Sequence, residues 1–191
     1  MTVSRPSFRP VLVRLAAAVM ATAFAAAACG TQPAGPPEAG DAAGGPAAQR
    51  APLDFQAKTV DGGEFSGSEL DGKPAVLWFW APWCTICRSE GPAMARVARK
   101  HAEAVTFVGV AGRGEVPDMR RFVDDTGTGS FTHAVDEDGS LWSSFGVTSQ
   151  PAYAFVRPDG GMEVIVGSLP EGDLAERVAA LAGRGGRPEP R

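Results

Sequence analysis

Six consecutive apolar residues, "AVLWFW" from Ala75 to Trp80, lead through Ala81, Pro82 and Trp83 into Cys84-Thr85-Ile86-Cys87. An unbroken apolar run of strand length needs cover on both faces, which a central strand of a layered fold supplies. From Cys84 to about His101 the pattern turns helical, with Met94, Val97, Ala98 and His101 at three- and four-residue steps. Pro92 falls inside that pattern and predicts a kink or an early break.

The same alternation of periods continues along the chain. "LDFQAKTVDGGEFSGSEL" alternates as strands do around Asp61-Gly62-Gly63 and predicts a hairpin ahead of the central strand. "VTFVGVAG" reads as a second buried strand, and "EVPDMRRFVDDTG" as a helix stopped by Gly127. "AYAFVRPDGGMEVIVG" reads as a hairpin turning at Pro158-Asp159-Gly160-Gly161, and "EGDLAERVAALAG" as a closing amphipathic helix. That order makes an α/β sandwich: a central mixed sheet flanked by helices, with an added N-terminal β-hairpin. No internal repeat is visible.

The ends of the chain bear on location. Arg5, Arg9 and Arg14 precede an apolar run from Leu15 to Ala28 broken only by Thr22, which is the pattern of a secretory signal over residues 1–28. "AAAACG" then sets Cys29 where a signal is cut, and this resembles the site at which bacterial lipoproteins are cleaved and acylated on the new N-terminal cysteine. Plain cleavage with secretion is the alternative. From residue 29 to 51 the composition is Ala, Gly and Pro with few large apolar residues, a flexible tether; residues 184–191 read as a disordered tail. The segment between, 52–183, has the length of one domain with a real core. Removing residues 1–28 takes three of the 18 basic residues and none of the 22 acids, leaving 15 against 22, a balance that excludes a nucleic-acid partner.

Two short motifs are decoys. "GVAGRG", Gly109 to Gly114, carries its glycines in the wrong order for a dinucleotide loop, and "DEDG", Asp136 to Gly139, lacks the length and closing glutamate of a calcium loop. Both read as turns.

The sulfurs fall at the start of the predicted helix. Cys84 lies in its first turn, where free N–H groups and the helix dipole stabilise a thiolate, and Cys87 lies one turn deeper on the same side. One sulfur then attacks and the other resolves.

"WFWAPWCTICRSEGP" resembles the active-site segment of the thioredoxin superfamily, specifically its extracytoplasmic branch of TlpA-like proteins and actinobacterial DsbE- and DsbF-like oxidoreductases. Pro151 in "GVTSQPAYAFVRPDG" matches the second landmark of that superfamily, a proline held cis beside the active site, and the resemblance spans about Leu53 to Leu181. It implies Cys84 and Cys87 as the catalytic pair. It also implies a client-binding edge at Gln150 and Pro151, where an extended peptide adds as a strand. Trp83, just ahead of the nucleophile, is expected to be partly exposed and to touch substrate, whereas Trp78, Trp80, His101 and His133 read as structural.

Two departures from cytosolic thioredoxin matter. Trp78 stands where thioredoxin has a buried aspartate, so proton transfer at Cys87 needs another group. Glu90 is placed for it by helical spacing; the competing reading is a surface glutamate paired with Arg88 or another base. Ile86 stands where thioredoxin has proline, which within the superfamily goes with a less reducing pair, and Arg88 is expected to add positive potential near the thiolate.

The rival chemistries are weaker. His101 and His133 lack the spacing from Cys84 and Cys87 that a structural zinc site requires, and a bridge across two residues closes too small a loop to serve stability alone. The expectation is a thiol–disulfide oxidoreductase acting on protein thiols and disulfides. It needs no metal or organic cofactor, is reset by an unidentified redox partner, and is lipid-anchored on the outer face of the cell membrane. An oxidase is favoured; a TlpA-like reductase of cytochrome c maturation and a non-catalytic binding lipoprotein are the alternatives.

Overall fold

The computed structural model describes residues 49–185, so the signal segment 1–28, Cys29, most of the tether and the last six residues lie outside the described residues. The central sheet is built from β1 (Gln49–Arg50), β4 (Ala75–Trp80), β5 (Thr106–Gly112), β6 (Thr132–Asp136), β7 (Ala152–Val156) and β8 (Gly161–Val166), in the order β1-β8-β7-β4-β5-β6. β4, β5 and β6 run parallel, whereas β7, β8 and β1 are antiparallel to their neighbours, so the sheet is mixed as expected. β2 (Gln56–Lys58) and β3 (Glu64–Ser66) form the separate hairpin, Gln56 opposite Ser66. Among the described residues four α-helices complete the fold: α1 (Thr85–His101), α2 (Val116–Thr126), α3 (Ser140–Ser144) and α4 (Glu171–Gly185).

All six residues of β4 are buried, and their alternation divides the core. Val76, Trp78 and Trp80 face Met94, Val97 and Ala98 of α1, Phe122 of α2 and Val178 of α4, while Ala75, Leu77 and Phe79 face Leu141 and Trp142 of α3, Phe145 just after it, and Phe65 of the hairpin. Trp80 stacks on Phe122 at 4.1 Å between centroids. This two-faced burial is what the unbroken apolar run of β4 required.

The structure corrects the early break expected at Pro92. α1 runs through it without a break, and Pro92 is exposed. The amide donor lost at Pro92 is outweighed by the core packing of Met94, Val97 and Ala98 on the far side of the helix. Two elements were not foreseen, β6 and α3, and the sheet also takes in Gln49 and Arg50, ahead of the domain start at 52 read from composition.

Candidate active site

The registers bring the chemistry to one end of the sheet. Trp80 lies beside Ala111 and Phe79 beside Ala152, while Ala152 pairs with Val166. The chain leaving β4 toward Cys84, the chain leaving β5 at Gly112, the chain entering β7 from Pro151 and the chain leaving β8 at Gly167 therefore share that end. The Gln150–Pro151 peptide bond is cis.

Cys84 is the N-cap of α1, in extended conformation, and its sulfur accepts the Cys87 backbone N–H at 3.1 Å. The two cysteines are joined by a disulfide. Cys84 keeps 6% of its surface exposed and Cys87 none, so an incoming thiolate can reach only the first sulfur. Trp83 is 59% and Ile86 51% exposed, giving the disulfide an apolar rim. The indole of Trp83 is nonetheless tied down, its Nε1–H donating to the Arg113 carbonyl at 2.7 Å.

Arg88 does not stand free beside Cys84. Its guanidinium pairs with Asp125 at 2.8 Å, donates to the Pro82 carbonyl at 3.2 Å and lies over Phe122, so its charge is spent on tying α1 to α2 and to the redox turn.

Glu90 is not paired with Arg88. Its carboxylate is half-buried and accepts three hydrogen bonds: from the Tyr153 hydroxyl at 2.5 Å, the Ser168 hydroxyl at 2.5 Å and the Leu169 backbone N–H at 3.0 Å. It thus fastens α1, one turn beyond Cys87, to the strand that follows Pro151 and to the loop after β8. Burial, and then the hydrogen bond to Glu90, push the Tyr153 phenol far above its ordinary range, so Tyr153 is a fixed donor. Beside it in the register, the indole N–H of buried Trp78 stands next to the Tyr153 hydroxyl without a well-formed hydrogen bond to any of the described residues.

His133 is buried with both ring nitrogens engaged. Trp80 Nε1–H donates to Nδ1 at 3.2 Å, which leaves Nε2–H to donate to the Thr128 carbonyl at 3.0 Å. A Cβ on Gly109 would stand 2.0 Å from His133 Nδ1, so glycine on β5 makes room for the pair. Burial lowers the His133 pKa to about 4.

The structure therefore brings Trp83, Cys84, Cys87, Gln150 and Pro151 to one end of the sheet, with Glu90 behind them. Sequence reasoning missed Tyr153, Ser168 and Arg113. Tyr153 is the chain's single tyrosine and directly follows Pro151-Ala152, a signal that was available; Ser168 offered none.

Comparison with known proteins agrees with this geometry. Residues 47–165 match the AhpC/TSA family. The soluble secreted antigen MPT53 of Mycobacterium tuberculosis is 43% identical over 132 residues, covering 68% of this chain and 75% of that protein. The solved structure of MTB DsbF in mixed oxidised and reduced forms has 54% identity and a TM-score of 0.66, over 68% of this chain and 96% of DsbF. A secreted Mycobacterium tuberculosis disulfide oxidoreductase homologous to E. coli DsbE has 43% identity and a TM-score of 0.64, over 68% of this chain and 97% of that one.

Proposed function

The chain belongs to the AhpC/TSA family and is a thiol–disulfide oxidoreductase of the thioredoxin-like DsbE/DsbF type, and from that premise we propose that it oxidises the thiols of other proteins outside the cytoplasm. The carrying observation is the exposure asymmetry of the Cys84–Cys87 disulfide at the N-terminus of α1. A client thiolate attacks Cys84 and Cys87 leaves as a thiolate; the client's second thiolate then attacks the client sulfur of that mixed disulfide and Cys84 leaves as a thiolate. The protein is left with two thiols and the client with one new bridge. The α1 N-terminus stabilises the reduced Cys84 as a thiolate, which favours oxidation of the client.

Ile86 between the sulfurs supports the oxidase direction, and relatives that are disulfide oxidoreductases support the exchange chemistry itself. Arg88 no longer counts toward it, because Asp125 neutralises its charge. Trp83, Gln150 and Pro151 hold the client chain, and Glu90 handles the proton of Cys87, a role supported by its helical spacing and half-buried position. Residues 1–28 act as the export signal and Cys29 as the lipid attachment point, which holds the domain to the outer face of the membrane while a separate redox partner reoxidises it.

The direct test mixes oxidised protein with a reduced, unfolded multi-disulfide client and follows thiol loss. Disulfides should form in the client faster than the reduced protein removes them from the folded form. The reverse ranking would favour the reductase reading.

A further inference from the structure

Between β5 and α2 the chain passes through Gly112-Arg113-Gly114, part of the stretch whose glycines resembled a scrambled nucleotide loop. Arg113 adopts φ +56°, a left-handed conformation that glycine enters freely and a side chain does not. Both flanking glycines are needed for space: a Cβ on Gly112 would come within 2.9 Å of the Trp142 ring, and one on Gly114 within 2.4 Å of Pro82 Cγ. The middle position, where glycine would relax the backbone, instead carries the longest cationic side chain.

The contacts of Arg113 account for it. Its carbonyl accepts the Trp83 indole N–H at 2.7 Å, on the turn that leads into Cys84. Its guanidinium reaches the other way, donating to the Thr148 carbonyl at 2.9 Å and to Gln150 Oε1 at 3.4 Å, on the loop that leads into Pro151. The same group lies 4.9 Å from the centroid of Trp142. That platform is itself fixed, since Trp142 Nε1–H donates to the Val110 carbonyl and its backbone N–H to the Asp136 carboxylate.

We propose that Arg113 is a positioning residue for client binding, a single clasp that holds the Trp83 turn and the Thr148–Pro151 loop in one pre-formed groove for an extended polypeptide. The proposal rests on the exchange reading above and adds the residue that pre-organises its client surface. Pre-organisation lowers the ordering cost of binding, so its loss appears in the concentration needed for saturation before it appears in the chemical step.

The test is a single-turnover reaction of oxidised protein with rising excess of a reduced, unstructured dithiol peptide, quenched in acid and scored by remaining peptide thiols. Arg113→Gly keeps the carbonyl and suits the backbone but removes the fork. It should raise the half-saturating peptide concentration about five- to tenfold while changing the limiting rate by about twofold or less. Arg113→Lys, which keeps the charge but not the planar two-pronged donor, should resemble Arg113→Gly. If Arg113→Gly does not fold, the lysine variant decides alone on the same two readings. Wild-type half-saturation in the variants, or a loss confined to the limiting rate, overturns the proposal. Failure of the wild-type protein to exchange with the peptide overturns the reading beneath it instead.

Discussion

The Tyr153 hydroxyl donates to the Glu90 carboxylate at 2.5 Å, joining residues 63 apart in sequence and linking the strand after Pro151 to the helix that carries both cysteines. If Glu90 handles the Cys87 proton, Glu90→Gln should slow client oxidation at least about tenfold and change the shape of its pH profile. Tyr153→Phe, which leaves the Ser168 and Leu169 donors in place, should lower stability by about 1.5–3 kcal/mol, the scale of a hydrogen bond to a charged group. Stopped-flow exchange and chemical denaturation measure the two. A Glu90→Gln protein with wild-type exchange at every pH would reduce Glu90 to a structural fastener.

The sulfurs should differ in reactivity when reduced. Alkylation near neutral pH should label Cys84 first, because it caps α1 and is the more exposed cysteine of the pair, and Cys87→Ser should accumulate mixed disulfides with clients. Mass spectrometry of the labelled peptides reads this directly. Preferential labelling of Cys87 would reverse the assignment.

His133 predicts an acid limit. Its pKa is about 4 in the fold, against an ordinary 6.5, so between those values the unfolded chain binds a proton that the folded chain refuses. Stability from this group is therefore intact above about pH 6.5 and falls as pH drops toward 4, by about 3 kcal/mol in all. His133→Gln, whose amide can still meet Trp80 and Thr128, should show a flatter stability curve between pH 4.5 and 7. Parallel curves for the two proteins would contradict it.

The proposed lipid anchor at Cys29 predicts membrane attachment; among the described residues no helix is long and apolar enough to cross a bilayer. In cell fractionation the wild-type protein should partition with membranes, and Cys29→Ala should be released or left uncleaved. Equal solubility of both would favour plain secretion.

Legibility in the sequence followed locality. β4, the β7–β8 hairpin and α4 could be read because each announces its burial within its own residues, as could Cys84, Cys87 and Pro151. β6 could not: "THAVD" carries Thr132, His133 and Asp136, and His133 and Asp136 are buried only because Trp80, Thr128, Leu141 and Trp142 supply their hydrogen bonds from elsewhere. α3 is five residues long, held by the Asp136 carboxylate that accepts the Leu141 and Trp142 backbone N–H groups, and too short to show a period. Arg113 and the partners of Glu90 escaped for the same reason, since their contacts join segments that only the sheet brings together.

Equilibrium with glutathione measures the reduction potential of the Cys84–Cys87 pair and tests the oxidase reading most directly. The oxidase reading, from thiolate stabilisation at the start of α1 and Ile86 between the sulfurs, predicts a potential well above the roughly −270 mV of thioredoxin, within about −180 to −120 mV, the range of protein disulfide isomerase and DsbA. A value at or below about −270 mV would contradict it and make the protein a reductase.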